Sequence, residues 1–417
     1  MTWKSSYGNE ALHVWTPTDW DTEVVRLPDR TPLSDEAIAQ IVRAPIGCAP
    51  LREQVRGLKT VCITIDDLTK PTEGHRVVPP ILDELRVGGI QEADIYFVIS
   101  LGTHRALTLD DFRKKLGRGI ASRFRVYNHC PFENNQSIGV TSRGTHVSID
   151  RHFIAADFKI GVGMLMPHNM AGFSGGGKIV LPGLAAIDTV EQNHRSTMRG
   201  LPGAIGVLDG NEVRADIDEA ARMAGLGFIV NGVHNERGET VALFAGDLVK
   251  AYKHAFACAV DYYGCRVRYD NDVGIFNAFP RDNWLLLSLS SLDIWSTRDP
   301  DKALVRPGGT IVIINHCSEG AGEHGLHTRG MRHFAYRDRH GIFAPILETR
   351  RLVFFSPNLN EATLRDYYAG PVELYDDWNA LMASLTARHG TGTRAAVFPC
   401  GTLQMDRSVI EPKAGRP

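Results

Sequence analysis

The chain has 417 residues, 46 Lys and Arg against 48 Asp and Glu, and 43% hydrophobic residues. At roughly 150 residues per domain, that length supports two or three domains with real apolar cores. The near-neutral balance, without a long basic run, argues against nucleic acid or a membrane surface as partner, because both are met by clustered Lys and Arg. The chain does not open with a basic segment followed by an apolar run, and no apolar stretch approaches the roughly 20 residues of a membrane span. A cytoplasmic location is therefore expected. The seven Cys are scattered and form no CxxC pair, so they read as reduced thiols rather than a disulfide framework or a four-Cys zinc site. The 16 His are an ample supply of groups that titrate near neutrality.

The N-terminal segment alternates weakly in ALHVW and TEVVRL. Ser34 then precedes a helical pattern in which Ile38, Ile41 and Val42 recur until Pro45. TVCITID (60–66) reads as a strand, DLTKPTEGHR as a loop, and VVPPILDELRVGGI as a helix closed by Gly88 and Gly89. ADIYFVIS (93–100) is a second strand, followed by the loop LGTHRALT and a helix over LDDFRKKLG; RFRVYN (123–128) and DFKIGVG (157–163) continue the alternation. NEVRADIDEAARMAGL (211–226) is an amphipathic helix capped by Asn211, with strands in GFIVNGV and TVALFAG after it. VGIFNA, GTIVIIN, RLVFFS and AAVFP supply the strands of a smaller part beyond a boundary near 266. The expected fold class is α/β: two α/β domains with mainly parallel sheets and the active site in the cleft between them. The expected limits are 1–266 for a cofactor-binding and catalytic domain, 267–404 for a smaller domain completing the substrate pocket, and 405–417 for a tail.

Three loops follow strands and carry chemistry. The first is Asp67-Leu68-Thr69-Lys70-Pro71, which also reads as a capped turn before a helix. The second is Gly102-Thr103-His104-Arg105, where a lone His at a strand end can equally be structural. The third, running from Pro167 to Gly183, is more specific: His168, Ser174, Gly175, Gly176, Gly177 and Lys178 crowd into a few residues. Three glycines before a Lys allow a tight turn whose N–H groups meet an anion, with a phosphate as natural guest. Ile179 stands where a P-loop requires Ser or Thr, which disfavours a triphosphate-hydrolysing ATPase or GTPase. If AIDTVEQNH is helical, His194 can return to the same site.

These loops closely resemble the nickel-dependent lactate racemase family, whose members carry D-x-T-R-P, G-T-H-R, P-H-x-x-A-G-F-S-G-G-x-K-x-x-L-P-G and a downstream N-H pair in this order. Here the matching residues are Asp67 to Pro71, Gly102 to Arg105, Pro167 to Gly183, and Asn193-His194. The resemblance runs from about Tyr7 to at least Asp247. It implies a nickel-pincer nucleotide, a pyridinium-3,5-bisthiocarboxylic acid mononucleotide holding Ni through S, C and S donors and attached covalently at Lys178. His194 would complete a square-planar nickel, a geometry suited to Ni(II). His104 and His168 would be the paired acid/base residues. Thr69, Ser174 and Gly175 to Gly177 would contact the nucleotide, while Asp67, Lys70 and Arg105 would orient residues or bind substrate. The implied partners are a small 2-hydroxy acid and the cofactor-synthesis enzymes that supply the nickel nucleotide.

The implied reaction inverts the hydroxyl-bearing carbon. An imidazole near pH 7 cannot take the α-hydrogen of a hydroxy acid carboxylate as a proton, so that hydrogen leaves as hydride while a His takes the hydroxyl proton. The planar 2-keto acid is then reduced from its other face. Two departures set this chain apart from the lactate enzymes. Lys70 replaces an Arg that binds the substrate carboxylate and lacks its bidentate fork. Leu287 and Ser290 fall where a Gln and a Lys face the substrate in those enzymes. Lactate itself is therefore not the expected substrate, and larger 2-hydroxy acids such as sugar acids are candidates. The loop from Asn315 to Gly325 is a candidate for the pocket wall. The alternatives are a family member that binds nickel or nucleotide without racemising, and a hydroxy acid oxidoreductase; against an NAD-dependent one, no strand is followed by G-x-G-x-x-G.

Overall fold

The computed structural model describes residues 1–5, 8–195, 204–295, 303–341 and 343–410. Its contacts divide the chain into two compact units, Asp29–Asp261 and Met1–Pro28 with Tyr262–Pro417. Residues 1–28 thus pack with the C-terminal part rather than with the unit that follows them in sequence. The reason is pairing: the strand Asp21–Val24, from TEVVRL, adds in parallel to Arg394–Phe398.

The unit Asp29–Asp261 is built on a six-stranded sheet of β1 (Val61–Asp66), β2 (Ile95–Ser100), β3 (Arg125–Asn128), β4 (Phe158–Met164), β5 (Phe228–His234) and β6 (Thr240–Gly246). The spatial order is β6-β5-β4-β1-β2-β3. All neighbours run parallel except β5 and β6. β1 and β2 are buried along their whole length, which explains near-continuous apolar runs instead of alternation.

Helices α1 (Asp35–Arg43) and α2 (Gly74–Val87) cover this sheet, packing Ile38, Val42, Val77, Val78, Ile81 and Leu85 into one core with Ile63, Ile65 and Phe97. The Ser34 hydroxyl accepts from the Ala37 N–H and caps α1, as its sequence indicates. Three further helices bear on the loops described below: α3 (Leu109–Leu116), α4 (Ile187–His194) and α5 (Glu212–Met223). Asn211 caps α5 by accepting from the Arg214 N–H.

The second unit carries a fully parallel sheet of β7 (Asn271–Asn277), β8 (Val305–Ile314), β9 (Arg351–Phe355), β10 (Val372–Tyr375) and β11 (Arg394–Phe398), in the order β10-β9-β8-β7-β11 with Asp21–Val24 at the edge. Its core joins Trp20, Val273, Val312, Val353, Trp378 and Leu381. Among the described residues, no helix is long and apolar enough to cross a membrane. All seven cysteines are free thiols, in line with the sequence reading.

Candidate functional site

In the first sheet β4, β1 and β2 are parallel neighbours, so the chain leaves all three at the same edge. From β1 the chain moves to β2 and β3 on one side, then returns to β4 and β5 on the other. The strand order therefore reverses between β1 and β4, and open α/β sheets bind ligands in the crevice outside the carboxyl ends at such a point. The Asp67–Pro71 loop leaves β1, the Gly102–Arg105 loop leaves β2, and the Pro167–Gly183 segment leaves β4. The second and third loops are tied directly: the Gly102 N–H donates to the Gly183 carbonyl at 2.8 Å, and the Ser100 hydroxyl donates to the Ile179 carbonyl at 2.9 Å.

The first two loops meet in a carboxylate–imidazole pair. His104 Nδ1 lies 2.6 Å from Asp67 Oδ2. The other carboxylate oxygen, Oδ1, accepts from the Thr69 N–H at 3.1 Å and the Thr69 hydroxyl at 2.5 Å. Asp67 is buried. Burial alone would raise its pKa, but the charge and hydrogen bond of His104, the charge of Lys70 and the Thr69 hydroxyl outweigh it and hold the carboxyl well below the usual range. An ionised Asp67 accepts only, so Nδ1 of His104 carries a proton, and in the neutral form of the ring the lone pair is on Nε2. His104 remains partly open, with its side chain 22% exposed. Both the N–H and the hydroxyl of Thr69 are thus bonded to Asp67, and Lys70 contributes positive charge beside it.

The third loop is organised differently. His168 Nδ1 accepts from the Met170 N–H at 3.3 Å and the Ala171 N–H at 3.2 Å, which places the proton of a neutral ring on Nε2. That Nε2 faces the Lys178 amine at 3.3 Å, so the sequence-derived pair His168 and Lys178 stand together.

Ser174 and the glycines are buried, and the Ser174 hydroxyl and the Gly176 N–H are bonded within the protein. The Ser174 hydroxyl donates to the Met164 carbonyl and accepts from the Met166 N–H. The Gly176 N–H donates to Asn231 Oδ1 at 2.8 Å. Gly175 and Gly176 have φ of +78° and +54°. A Cβ on Gly176 would stand 2.2 Å from Arg214 Nη2, and one on Gly177 would stand 2.6 Å from Asp218 Oδ1. The glycine run is therefore required by close packing on α5, where buried Arg214 pairs with Asp218, donates to the Gly175 carbonyl at 3.1 Å and stacks on Tyr252. What the run presents is the half-buried Lys178.

His194 ends α4, so the stretch before it is helical over Ile187–His194. Its Nδ1 lies 2.8 Å from the Val190 carbonyl one turn back, so Nδ1–H donates and the lone pair of the neutral ring is on Nε2, the form in which imidazole ligates metals. Its neighbour Asn193 is buried and donates to Asp216 Oδ2 at 2.9 Å, and Asp216 also accepts from the hydroxyls of Thr141 and Thr145. Among the described residues no group of three or more His, Cys, Asp or Glu is arranged to hold a metal. A metal bound through His194 would need its remaining donors from another molecule. Arg105, expected to bind substrate or orient other residues, donates to Asp111 Oδ2 and to the Ala106 carbonyl, both at 2.8 Å.

Sequence reasoning passed over Asp111, Lys115, Arg214 and Asp216. A signal was present for two of them: Lys115 falls between Phe112 and Leu116, and Asp216 between Val213 and Ile217, both on apolar helical faces where a charge must have a buried partner. In the second unit the Ser290 hydroxyl donates to the Leu287 carbonyl at 2.6 Å. Glu319 accepts from Trp284 Nε1 at 2.9 Å and Asn283 Nδ2 at 3.2 Å, a bracing role within the Asn315–Gly325 stretch.

Residues 7–204 match the family model described as the lactate racemase N-terminal domain. The lactate racemase of Thermoanaerobacterium thermosaccharolyticum is 29% identical over 302 residues, covering 70% of this chain and 68% of that protein. The lactate racemase of Lactiplantibacillus plantarum is 26% identical over 394 residues, covering 88% and 89%. Among solved structures, the lactate racemase apoprotein from T. thermosaccharolyticum superposes with a TM-score of 0.76 at 23% identity, over 97% of this chain and 99% of that one. A Thermotoga maritima protein superposes at 0.69 with 19% identity, over 90% and 98%. At these identities the two superpositions speak to the fold.

Proposed function

We propose that this chain is a member of the lactate racemase family, as the match over residues 7–204 and the two similar lactate racemases support, and that it is a racemase or epimerase inverting the hydroxyl-bearing carbon of a 2-hydroxy acid. The observation that carries the reading is the Asp67–His104 pair standing on the same sheet edge as His168 and Lys178.

The residues suit a covalently attached nickel-pincer nucleotide. Lys178, with its amine beside His168, would hold the nucleotide covalently, and His194 would ligate nickel through Nε2. When bound, that group supplies a hydride acceptor, the chemistry that two imidazoles alone lack. The remaining work falls to side chains. His104 takes the substrate hydroxyl proton at Nε2, and Asp67 stabilises the imidazolium that results. The opposite hand calls on Nε2 of His168, and so on a tautomer change in which the Met170 and Ala171 N–H groups release Nδ1. Lys70 attracts the substrate carboxylate as a point charge.

Lys70, Leu287 and Ser290 support a substrate other than lactate, a larger hydroxy acid. The cofactor comes from separate synthesis enzymes, and the protein works in the cytoplasm. Protein produced together with those enzymes tests the reading: intact mass is expected to show an adduct at Lys178 with nickel bound. His104→Ala and His168→Ala are each expected to abolish interconversion while keeping the adduct. An unmodified Lys178 without nickel, or full activity in both variants, would overturn it.

A further inference from the structure

The short helix α3 makes contacts that the chemistry above leaves unexplained. Lys115, near its end, is buried at 3% exposure. Its ammonium lies 2.6 Å from Asp66 Oδ1 and donates to the carbonyls of Asp67 at 2.9 Å and Lys70 at 3.1 Å. Three partners match the three N–H donors of an ammonium. All three belong to one stretch of backbone, the end of β1 and the loop that follows it. Asp66 is held from its other side as well, since the Thr72 hydroxyl donates to Oδ2 at 2.7 Å.

The same helix reaches the second loop. Asp111 closes the capping box of α3 with Thr108 and accepts from Arg105, the residue next to His104. Asn128 at the end of β3 fixes the approach to the helix, accepting from the Leu107 N–H and donating to the Leu107 carbonyl. One helix of eight residues thus grips both loops whose side chains meet in the Asp67–His104 pair.

We infer that Lys115 is a positioning residue: by spanning Asp66 and the carbonyls of Asp67 and Lys70, it sets the loop conformation in which Asp67 fixes the His104 imidazole. A buried ammonium is costly to keep and a poor choice for stability alone, because an apolar side chain of similar volume usually packs as well. Here its three donors join the Asp66 carboxylate to two carbonyls of a turn whose own internal bond, from the Lys70 N–H to the Asp67 carbonyl, is long at 3.4 Å. The inference rests on the proposed function only for its consequence in turnover; the geometric claim stands on the protein without cofactor.

The test uses Lys115→Met combined with Asp66→Asn, which removes both charges and leaves neither buried alone, in full-length protein labelled with 15N-histidine. The ring-nitrogen shifts of His104, assigned through His104→Gln, report the tautomer. Wild type is expected to show Nδ1–H, and the double variant is expected to move toward the Nε2–H form that exposed histidine prefers. In cofactor-loaded protein the same variant should lose roughly 10- to 100-fold in kcat at little-changed KM, a part of the range general acid–base catalysis spans. Lys115→Gln with Asp66→Asn repeats both readings if the first variant does not fold. A melting point that falls while His104 keeps Nδ1–H would make Lys115 merely structural and overturn the inference. Loaded wild type that inverts no 2-hydroxy acid would sink the proposed function instead, and the tautomer reading would still decide the role of Lys115.

Discussion

Asp67→Asn tests the site most finely, because Thr69 dictates which way the new amide must face. In the wild type Oδ1 accepts two hydrogen bonds from Thr69, and Oδ2 meets His104 Nδ1 at 2.6 Å. An Asn amide has one oxygen and one NH2. Turning the NH2 toward Thr69 would set donor against donor in a buried site, at a cost of about 1–3 kcal/mol, or roughly five- to hundredfold in population. The oxygen therefore stays with Thr69 and the NH2 faces His104. Nδ1 must then accept, the ring proton moves to Nε2, and the nitrogen needed as base is blocked. General acid–base catalysis contributes roughly 10²–10⁴-fold, so kcat should fall by about that much in loaded protein while the Lys178 adduct remains. Polarimetric or chiral-chromatographic rates, read beside the 15N shifts of His104, make the measurement. A variant within about threefold of wild type, or one whose His104 keeps Nδ1–H, would refute the assignment of Nε2 as base.

Three further outcomes are expected. Asn193→Ala removes the bond to Asp216 beside His194; nickel content by elemental analysis should drop while the Lys178 adduct persists, and unchanged nickel would count against His194 as ligand. Gly176→Ala combines a φ of +54° with a Cβ 2.2 Å from Arg214 Nη2, so denaturant unfolding should show a loss of about 2–5 kcal/mol. Gly57→Ala, at φ +79° with nothing within 4 Å, should lose only about 1–2 kcal/mol, and equal losses would contradict the packing account. In the second unit, burial raises Asp282 to about 6 and Asp293 to about 7, against the opposing charges of Lys4 and Arg281. Folded pKa values above the unfolded value of about 3.9 mean that the native state holds extra protons, so this stability is complete below about pH 4 and is lost as pH rises through 6 to 7. Asp67 has the opposite sign, since its depressed carboxyl stabilises above about pH 4 and ceases to do so as pH falls through its folded value. Asp293→Asn should flatten the decline in melting temperature between pH 5 and 8; an identical slope in wild type and variant would contradict the burial argument.

The strands at 61–66 and 95–100 were legible because a sheet covered on both faces demands nearly unbroken apolar residues, and the helix starts at Ser34 and Asn211 because a cap needs a side-chain acceptor. Partners were not legible. TEVVRL has the pattern of a strand, but nothing in its periodicity says that it joins Arg394–Phe398, at the far end of the chain. The glycine run shows the same limit. Three glycines before a Lys fit either an anion cradle or a backbone pressed against its neighbours, and only the positions of Arg214, Asp218 and Asn231 reveal the close packing. His104, His168, Lys178 and His194 stood out because they fall on four ordered motifs that resemble those of the nickel-dependent lactate racemases, three of them in loops after strands. Lys115 and Asp216, which brace the loop and helix behind them, lie inside amphipathic helices and look like ordinary surface charges until the apolar register around them is counted.

The central claim is inversion by hydride return, and isotope fate at the α-carbon tests it most directly. Loaded protein would be incubated in D2O with single enantiomers or epimers of a panel of 2-hydroxy acids, and the products separated by chirality and examined by mass. The account predicts inverted product that keeps its original hydrogen at the α-carbon, with no inversion by His104→Ala or His168→Ala. Deuterium at the α-carbon of the inverted product would contradict it, since a proton lost to an imidazole exchanges with solvent and a returned hydride does not.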